Sequence, residues 1–350
     1  MRMFHMRLRA ALVAVPLIVL PMLAAAACSS SSSSSSTSGS SGTETASSSE
    51  AATLGPSVPA ATALAAPVDA SLLATASGAF GEKPTLTFPS TPAVPSLQRT
   101  ILSEGTGPLT ASGDWLITNY LGQIWNGKVF DNSYDKGSTS AFQIGVGKVV
   151  PGWDVGLVGV PVGSRVLLSL PPADGYGSAG SSGAGIGGTD TIVFVVDIVQ
   201  AIGPTAGGQT DATPQPAPAT GPQVVGALGV APTITVPAGT AEPTAPTVTV
   251  LATGTGAPIT NGSVLSQYVA VTWTGESAGS TWPSGATDGS SGQGPQELPV
   301  AAGGPFANLV GVPLGSRVLV QVPAQTDSSS GQSSPSIAAV VDVIAQTAKS

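Results

Sequence analysis

The only histidine in this 350-residue chain is His5 and the only cysteine is Cys28, so everything after residue 28 must do its chemistry without an imidazole or a thiol. That removes Ser-His-Asp and Cys-based nucleophilic catalysis, ordinary zinc and haem sites, and internal disulfides. Carboxylates, hydroxyls, backbone groups and shaped apolar pockets remain. One reaction suits that inventory: rotation about a prolyl amide needs no acid or base. Its barrier of roughly 18 to 20 kcal/mol comes from amide resonance, and a dry pocket that better accommodates the twisted, less polar amide lowers it. Such a site is an aromatic cluster carrying one or two polar tips.

The chain supplies such a set in order: Asn119-Tyr-Leu-Gly122, Gly127-Lys-Val-Phe-Asp-Asn-Ser-Tyr134, Gly147-Lys-Val-Val-Pro-Gly-Trp153, Val162-Gly-Ser-Arg165, Gly175-Tyr-Gly177 and Val193-Phe-Val-Val-Asp197. In sequence and spacing over about 110 residues these pieces resemble the FKBP-type peptidyl-prolyl isomerases. The resemblance implies Trp153 as the indole floor beneath the proline ring, with Tyr120, Phe130, Val149, Val150 and Phe194 as walls and Phe142 behind them. It implies Asp131 as the carboxylate at the rim, the Tyr176 hydroxyl and the Val150 N–H as donors to substrate carbonyls, and Ile186 as an apolar residue closing the loop side. It implies no cofactor or metal, proline-containing polypeptide clients, and macrolide inhibitors as competing ligands.

Taken singly, these residues have plainer readings. A Trp or Phe in a small β domain is more often core than site, and an Asp in Asp131-Asn-Ser133 is ordinarily a turn-former bonding its own backbone. Their joint order selects the functional reading. The segment after Tyr176, Gly177 to Gly188, is glycine-rich where the resembled family carries a firmer loop, and it is expected to be a mobile flap. Only in composition is it like a phosphate-cradling loop, because no Lys follows it and no strand-to-helix context surrounds it.

The elements that must position these residues are mostly strands. Thr85–Phe88, Trp115–Tyr120, Ser164–Leu170 and Thr191–Val199 are short β-branched or alternating runs bounded by Gly and Pro, and the one helix expected is Gly152–Gly159, after Pro151. The order then returns about 148 residues later. Pro84-Thr-Leu-Thr-Phe-Pro89 reappears as Pro232-Thr-Ile-Thr-Val-Pro237, Val158–Leu167 as Val310–Leu319, and Val195-Val-Asp-Ile198 as Val340-Val-Asp-Val343. The expectation is an α+β chain of two FKBP-like domains, each a twisted antiparallel β-sheet wrapped on one short helix: residues 80–202, a Pro/Gly-rich extended linker over 203–228, and a degenerate copy over 229–347. In that copy Ala278 falls at Phe130, Gly279 at Asp131, Pro305 (or Phe306, one residue on) at Trp153, Ser328 at Tyr176 and Ala339 at Phe194, leaving Tyr268 alone of the lining. Ser164-Arg165 recurs as Ser316-Arg317 in both copies and so reads as scaffold.

Ahead of the domains, Arg2, Arg7 and Arg9 precede an apolar run from Ala10 to Ala27 that stops at Cys28, the layout of a secretory signal over residues 1–27. Eight serines, Ser29 to Ser36, open a Ser/Ala-rich tether expected over 28–79. A lone cysteine at that junction resembles the lipobox of bacterial lipoproteins, which implies acylation of Cys28 and a lipid anchor on the extracytoplasmic face. Ala25 stands where that motif prefers Leu, so ordinary signal-peptidase cleavage in the same alanines is the alternative. Net charge is −8, and −11 without the three leader arginines, which argues against nucleic acid as a partner. The competing functional reading is a non-catalytic module of the same fold that binds proline segments or a protein partner.

Overall fold

The structure, a computed structural model, describes residues 63–283, 292, 294–326 and 331–347; the leader, Cys28, the serine tract and Ser328 lie outside the described residues. Three of the four sequence runs anticipated as strands, Trp115–Tyr120, Ser164–Leu170 and Thr191–Val199, form the centre of the first sheet, and the fourth, Thr85–Phe88, supplies one strand of a separate hairpin. Strands β1 (Thr75–Ala76) and β2 (Leu86–Thr87) form a separate hairpin, followed by β3 (Gln98–Ser103), β4 (Trp115–Ile124), β5 (Val129–Asn132), β6 (Ser140–Gln143), helix α1 (Pro151–Gly156), β7 (Arg165–Leu170) and β8 (Ile192–Ile202). The main sheet is antiparallel in the order β3-β7-β8-β4-β5, with β6 also paired to β4. Asn126, at positive φ, and Gly127 make the tight β4–β5 turn, closed by Gly127 N–H to the Ile124 carbonyl at 2.8 Å.

Along β4, β7 and β8 burial is nearly continuous because both faces of the sheet are covered. Leu116, Tyr120, Val166, Leu168, Leu170, Phe194, Val196 and Ile198 meet α1 on one face. Their alternates Leu121, Leu167, Val193 and Val195 meet Ala74, Leu86 and Phe88 from the β1–β2 hairpin on the other. Helix α1 lies flush on β7 because Gly152 and Gly156 face it. A methyl at either would stand 2.5 Å from Leu170 Cγ or 2.7 Å from Leu168 Cδ2. Pro151 opens the helix at its first turn, where its missing N–H costs nothing.

A second sheet follows. Strands β9 (Thr213–Pro214), β10 (Gln223–Val225), β11 (Thr233–Thr235), β12 (Thr247–Thr253), β13 (Gly262–Thr272), β14 (Ser277–Ser280), β15 (Gln296–Val300), β16 (Arg317–Val322), the short pair β17 (Gln325–Thr326) and β18 (Ser333–Ser334), and β19 (Ile337–Gln346) complete the chain. Its order, β12-β16-β19-β13-β14 with β15 on β13, repeats that of the first sheet strand for strand, and β9 adds to the β12 edge. The hairpin β10–β11 covers its outer face as β1–β2 covers that of the first. Ile117 and Ile202 of the first sheet pack with Leu265 and Ala345 of the second, and Gln267 Nε2 donates to the Pro204 carbonyl at 2.9 Å.

Three expectations change. The folded region begins earlier than residue 80: Leu64 packs on the first core, Ala65 N–H bonds the Leu97 carbonyl at 3.3 Å, and β1 lies within the stretch assigned to the tether. The Pro/Gly-rich stretch 203–228 is folded onto the second sheet through β9, β10 and a Gly208 N–H bond to Asp342, so its prolines mark strand ends and turns. Among the described residues the second sheet carries a single 3-10 turn, Ala307–Leu309, where the first carries α1. There Pro305-Phe-Ala-Asn-Leu309 replaces Trp153-Asp-Val-Gly-Leu157, and the Asp154 carboxylate that bonds Gly145 and Gly147 N–H at 2.6 and 2.8 Å has no counterpart at Phe306.

Candidate active site

The concave face of the first sheet opens into a cavity of about 720 Å³ whose lining includes Tyr120, Phe130, Asp131, Phe142, Val149, Val150, Trp153, Tyr176 and Phe194. Each comes from a different position in the frame: Tyr120 from β4, Phe130 and Asp131 from β5, Phe142 from β6, Val149 and Val150 from the entry to α1, Trp153 from its first turn and Phe194 from β8. The rings form a connected set. Phe130 meets Phe194 at 5.6 Å between centroids, Phe194 meets Trp153 at 5.1 Å, Trp153 meets Phe142 at 5.0 Å and Tyr120 at 5.8 Å, all edge to face. That geometry puts ring edges against ring faces, where aromatic quadrupoles attract. Trp153 is 3% exposed, and its indole N–H is buried with no acceptor among the described residues.

Gly122 makes this floor possible. It sits on β4 opposite Phe194 of β8 and Asp131 of β5, and a methyl there would stand 2.6 Å from Phe130 Cζ and 2.7 Å from Phe194 Cε1. In the second sheet the same register places Ala270 opposite Ala339 and Gly279. Where the phenyl rings are gone, the strand residue between them has gained the methyl they excluded.

The polar groups gather at one rim. Tyr120 OH donates a short hydrogen bond to Asp131 Oδ2, and Lys136 Nζ pairs with Asp131 Oδ1 at 2.6 Å and lies 5.8 Å from the Tyr120 ring centroid. Burial works to raise the Asp131 pKa, but the hydrogen bonds from Lys136 and Tyr120 outweigh it and hold the carboxyl below its ordinary range. Burial, and then the bond to Asp131, pushes the Tyr120 phenol far above its ordinary value. Burial and the Asp131 charge raise Tyr176 as well. All three therefore keep one protonation state across neutral pH. Tyr176 is 40% exposed, with its hydroxyl available at the mouth. Val150 caps α1 with its carbonyl, accepting from Trp153 at 2.9 Å, and its own N–H has no acceptor among the described residues.

The glycine-rich loop, expected to be a mobile flap, folds on itself through its own backbone. Ser181 and Ile186 exchange both backbone hydrogen bonds at 2.9 Å, Gly187 N–H bonds the Asp190 carboxylate at 2.7 Å, and Cβ atoms on Gly180 or Gly188 would fall 2.3 and 2.0 Å from the Ile186 and Ser178 carbonyl oxygens. Gly180 and Gly188 thus serve close backbone packing, whereas a Cβ at Gly177 or Gly183 would meet nothing within 4 Å. Ile186, expected at the cavity, is 5% exposed and belongs to the core beneath the loop, while Gly183 and Ala184 supply the wall on that side. Ala184, two residues earlier, packs against the same core while its outer side lines the cavity. Lys136 and Lys148 were not singled out from sequence. Lys148 lines the cavity, with its amine on Gln143 Oε1 at 2.7 Å, and the loop that returns Lys136 to Asp131 is closed by contacts that spacing alone does not disclose.

Arg165, read as scaffold, is buried against Asp197 at 2.6 Å and bonds the Gly78 and Glu82 carbonyls at 2.6 Å. Arg317 repeats this with Asp342 and the Ala227 and Val230 carbonyls. In each half the pair fastens the outer hairpin to the sheet.

Among known proteins, residues 107–199 match the family described as FKBP-type peptidyl-prolyl cis-trans isomerase. The chain is 36% identical over 119 residues to an FK506-binding protein of Streptomyces anulatus, covering 34% of this chain and 96% of that protein. It is 41% identical over 100 residues to FK506-binding protein 1 of Debaryomyces hansenii, covering 28% and 88%, and 40% identical over 87 residues to the peptidyl-prolyl cis-trans isomerase FKBP15-1 of Arabidopsis thaliana, covering 25% and 56%. Identity of this order across nearly the whole of a relative, over the segment that builds the aromatic cavity, decides the matter: this chain belongs to the FKBP-type peptidyl-prolyl cis-trans isomerases.

Proposed function

We propose that prolyl rotation takes place in the cavity of the first sheet, with the proline ring on Trp153 between Tyr120, Phe130, Phe142, Val149, Val150 and Phe194. The carrying observation is the unbroken chain of edge-to-face rings around a cavity that has a single carboxylate at its rim. Twisting the amide removes its resonance and much of its polarity, so a water-poor aromatic floor favours the twisted state over the planar one. The Val150 N–H and Tyr176 OH then hold the flanking carbonyls while the ring stays seated. In the full chain, Trp153→Ala, Phe130→Ala and Asp131→Ala should each slow catalysed cis/trans relaxation of an X-Pro peptide; full activity in all three refutes the assignment.

The second sheet is, in this reading, a degenerate copy of the first that has lost catalysis. Its identical strand order and the substitution of Ala278, Gly279 and Ala339 at the registers of Phe130, Asp131 and Phe194 support this. Losing each ring removes roughly 1.5 to 3 kcal/mol of burial that would hold a prolyl ring. The proposed clients are proline-containing segments of exported proteins, with the chain held at the extracytoplasmic membrane face by lipid on Cys28. The apolar leader, the lone cysteine and the serine tract support that placement. Cys28→Ala should move the protein from the membrane to the soluble fraction, and mature protein that begins elsewhere without lipid overturns it.

A further inference from the structure

The short loop Asp131–Lys136 faces two ways. Its ends, Asp131 and Lys136, meet each other at the cavity rim. Its middle turns to the opposite side of the sheet, where the Tyr134 hydroxyl donates to Asp197 Oδ2 at 3.0 Å and accepts from Arg165 Nη2 at 3.2 Å. There it joins the buried clamp that also receives Gly81 N–H at 2.7 Å and holds the β1–β2 hairpin. Beside it Lys83 of the same hairpin pairs with Asp135 at 2.7 Å, and Asp135 is tied to Asn132 through both its backbone N–H and its carboxylate. Ser133 fastens the loop to β4 by exchanging bonds with Tyr120.

The second sheet separates what the clamp needs from what the loop needs. Arg317 holds the β10–β11 hairpin and Asp342 with the same guanidinium bonds, Gly208 N–H donates to Asp342 Oδ2 where Gly81 N–H and the Tyr134 hydroxyl donate to Asp197, and Thr281 takes the place of Ser133 on Tyr268. At the register of Tyr134 stands Trp282, whose indole N–H is buried without an acceptor among the described residues. The clamp therefore forms without a hydroxyl at this point, and the hydroxyl is absent in the half where Gly279 has replaced the rim carboxylate.

We propose that Tyr134 is a positioning residue of the isomerase: by tying the loop to the Arg165–Asp197 clamp it fixes Asp131 at the rim, which makes the hairpin outside residues 107–199 part of the support of the site. This rests on the assignment of Asp131 to the site. The test is a double-mutant cycle in the full chain, with kcat/KM for an X-Pro peptide measured beside the thermal midpoint. Tyr134→Phe should lower kcat/KM by roughly two- to tenfold, the worth of one hydrogen bond, in a protein that still unfolds cooperatively. In an Asp131→Ala background the same substitution should cost nothing further. Equal losses in both backgrounds, or no loss in the first, overturn the positioning role while leaving the cavity assignment standing. An Asp131→Ala variant with wild-type kcat/KM removes Asp131 from the mechanism, and the positioning role with it.

Discussion

Gly122→Ala offers a sharp test of the cavity, because one added methyl meets two of its rings at once. The new Cβ would lie 2.6 and 2.7 Å from Phe130 Cζ and Cε2 and 2.7 Å from Phe194 Cε1. Carbon atoms rest at roughly 3.5 to 4.0 Å, so both rings must retreat by about 1 Å. Neither can do so alone, since Phe194 meets Trp153 edge to face at 5.1 Å and Phe130 meets Phe194 likewise at 5.6 Å. Overpacking of this kind costs about 1 to 3 kcal/mol, offset by about 0.5 to 1 kcal/mol from removing a glycine inside a strand. The net is at most about 2.5 kcal/mol and a fall of several degrees in Tm.

Catalysis should suffer more than stability. A displacement of about 1 Å at a reacting centre costs on the order of a hundredfold, so kcat/KM for an X-Pro peptide should fall between ten- and a hundredfold while the protein stays folded. The assay is relaxation of the peptide at low temperature, where the uncatalysed reaction takes minutes. The paired variant Gly122→Ala with Phe194→Ala rebuilds what the second sheet carries at Ala270 and Ala339, and should recover packing without recovering activity. A Gly122→Ala protein with kcat/KM within twofold of wild type refutes the claim that these rings form the working floor.

Activity should be flat from pH 6 to 8. The Asp131 pKa is depressed, so the contribution of its ionised form is full above the unfolded carboxyl value near 3.9 and is lost only as pH falls through its lower folded value, while Tyr120 and Tyr176 are raised. A bell-shaped profile in that range contradicts this. Arg317→Met should destabilise the second half by about 3 to 5 kcal/mol in denaturant unfolding, because it leaves the buried Asp342 carboxylate unpaired, and adding Asp342→Leu should restore most of the loss. Trp153→Phe should keep the fold and much of the activity, since the indole N–H it deletes has no acceptor among the described residues; a loss as large as that of Trp153→Ala argues for a polar role of the indole. Macrolide titration of the full chain, followed by tryptophan fluorescence, should saturate at one equivalent and vanish in Trp153→Ala, whereas two equivalents would mean that the second sheet keeps a pocket.

The strands were legible because β-branched runs bounded by Gly and Pro leave little else for the backbone to do, and the repeat in the sequence returned as one strand order used twice. The cavity residues were legible only as an ordered set, because a buried Trp or Phe by itself has no signature that distinguishes floor from core. Glycine and proline were where reading failed, and for one reason. Both are ambiguous between freedom and constraint, and neighbours distant in sequence decide which applies. Within the segment read as a mobile flap, Gly180 and Gly188 admit carbonyl oxygens closer than any side chain allows. The prolines of 203–228 looked like a spacer, yet they sit among short strands, β9 on a β12 edge some forty residues onward and β10 on β11. Charge pairing was hidden in the same way: nothing in Asp131-Asn-Ser-Tyr-Asp-Lys136 says that its ends close on one another while its centre reaches through the sheet plane to Asp197. That arrangement gives the loop two duties in six residues. Replacing its centre therefore tests whether the site depends on a hairpin that no motif of the sequence had attached to it.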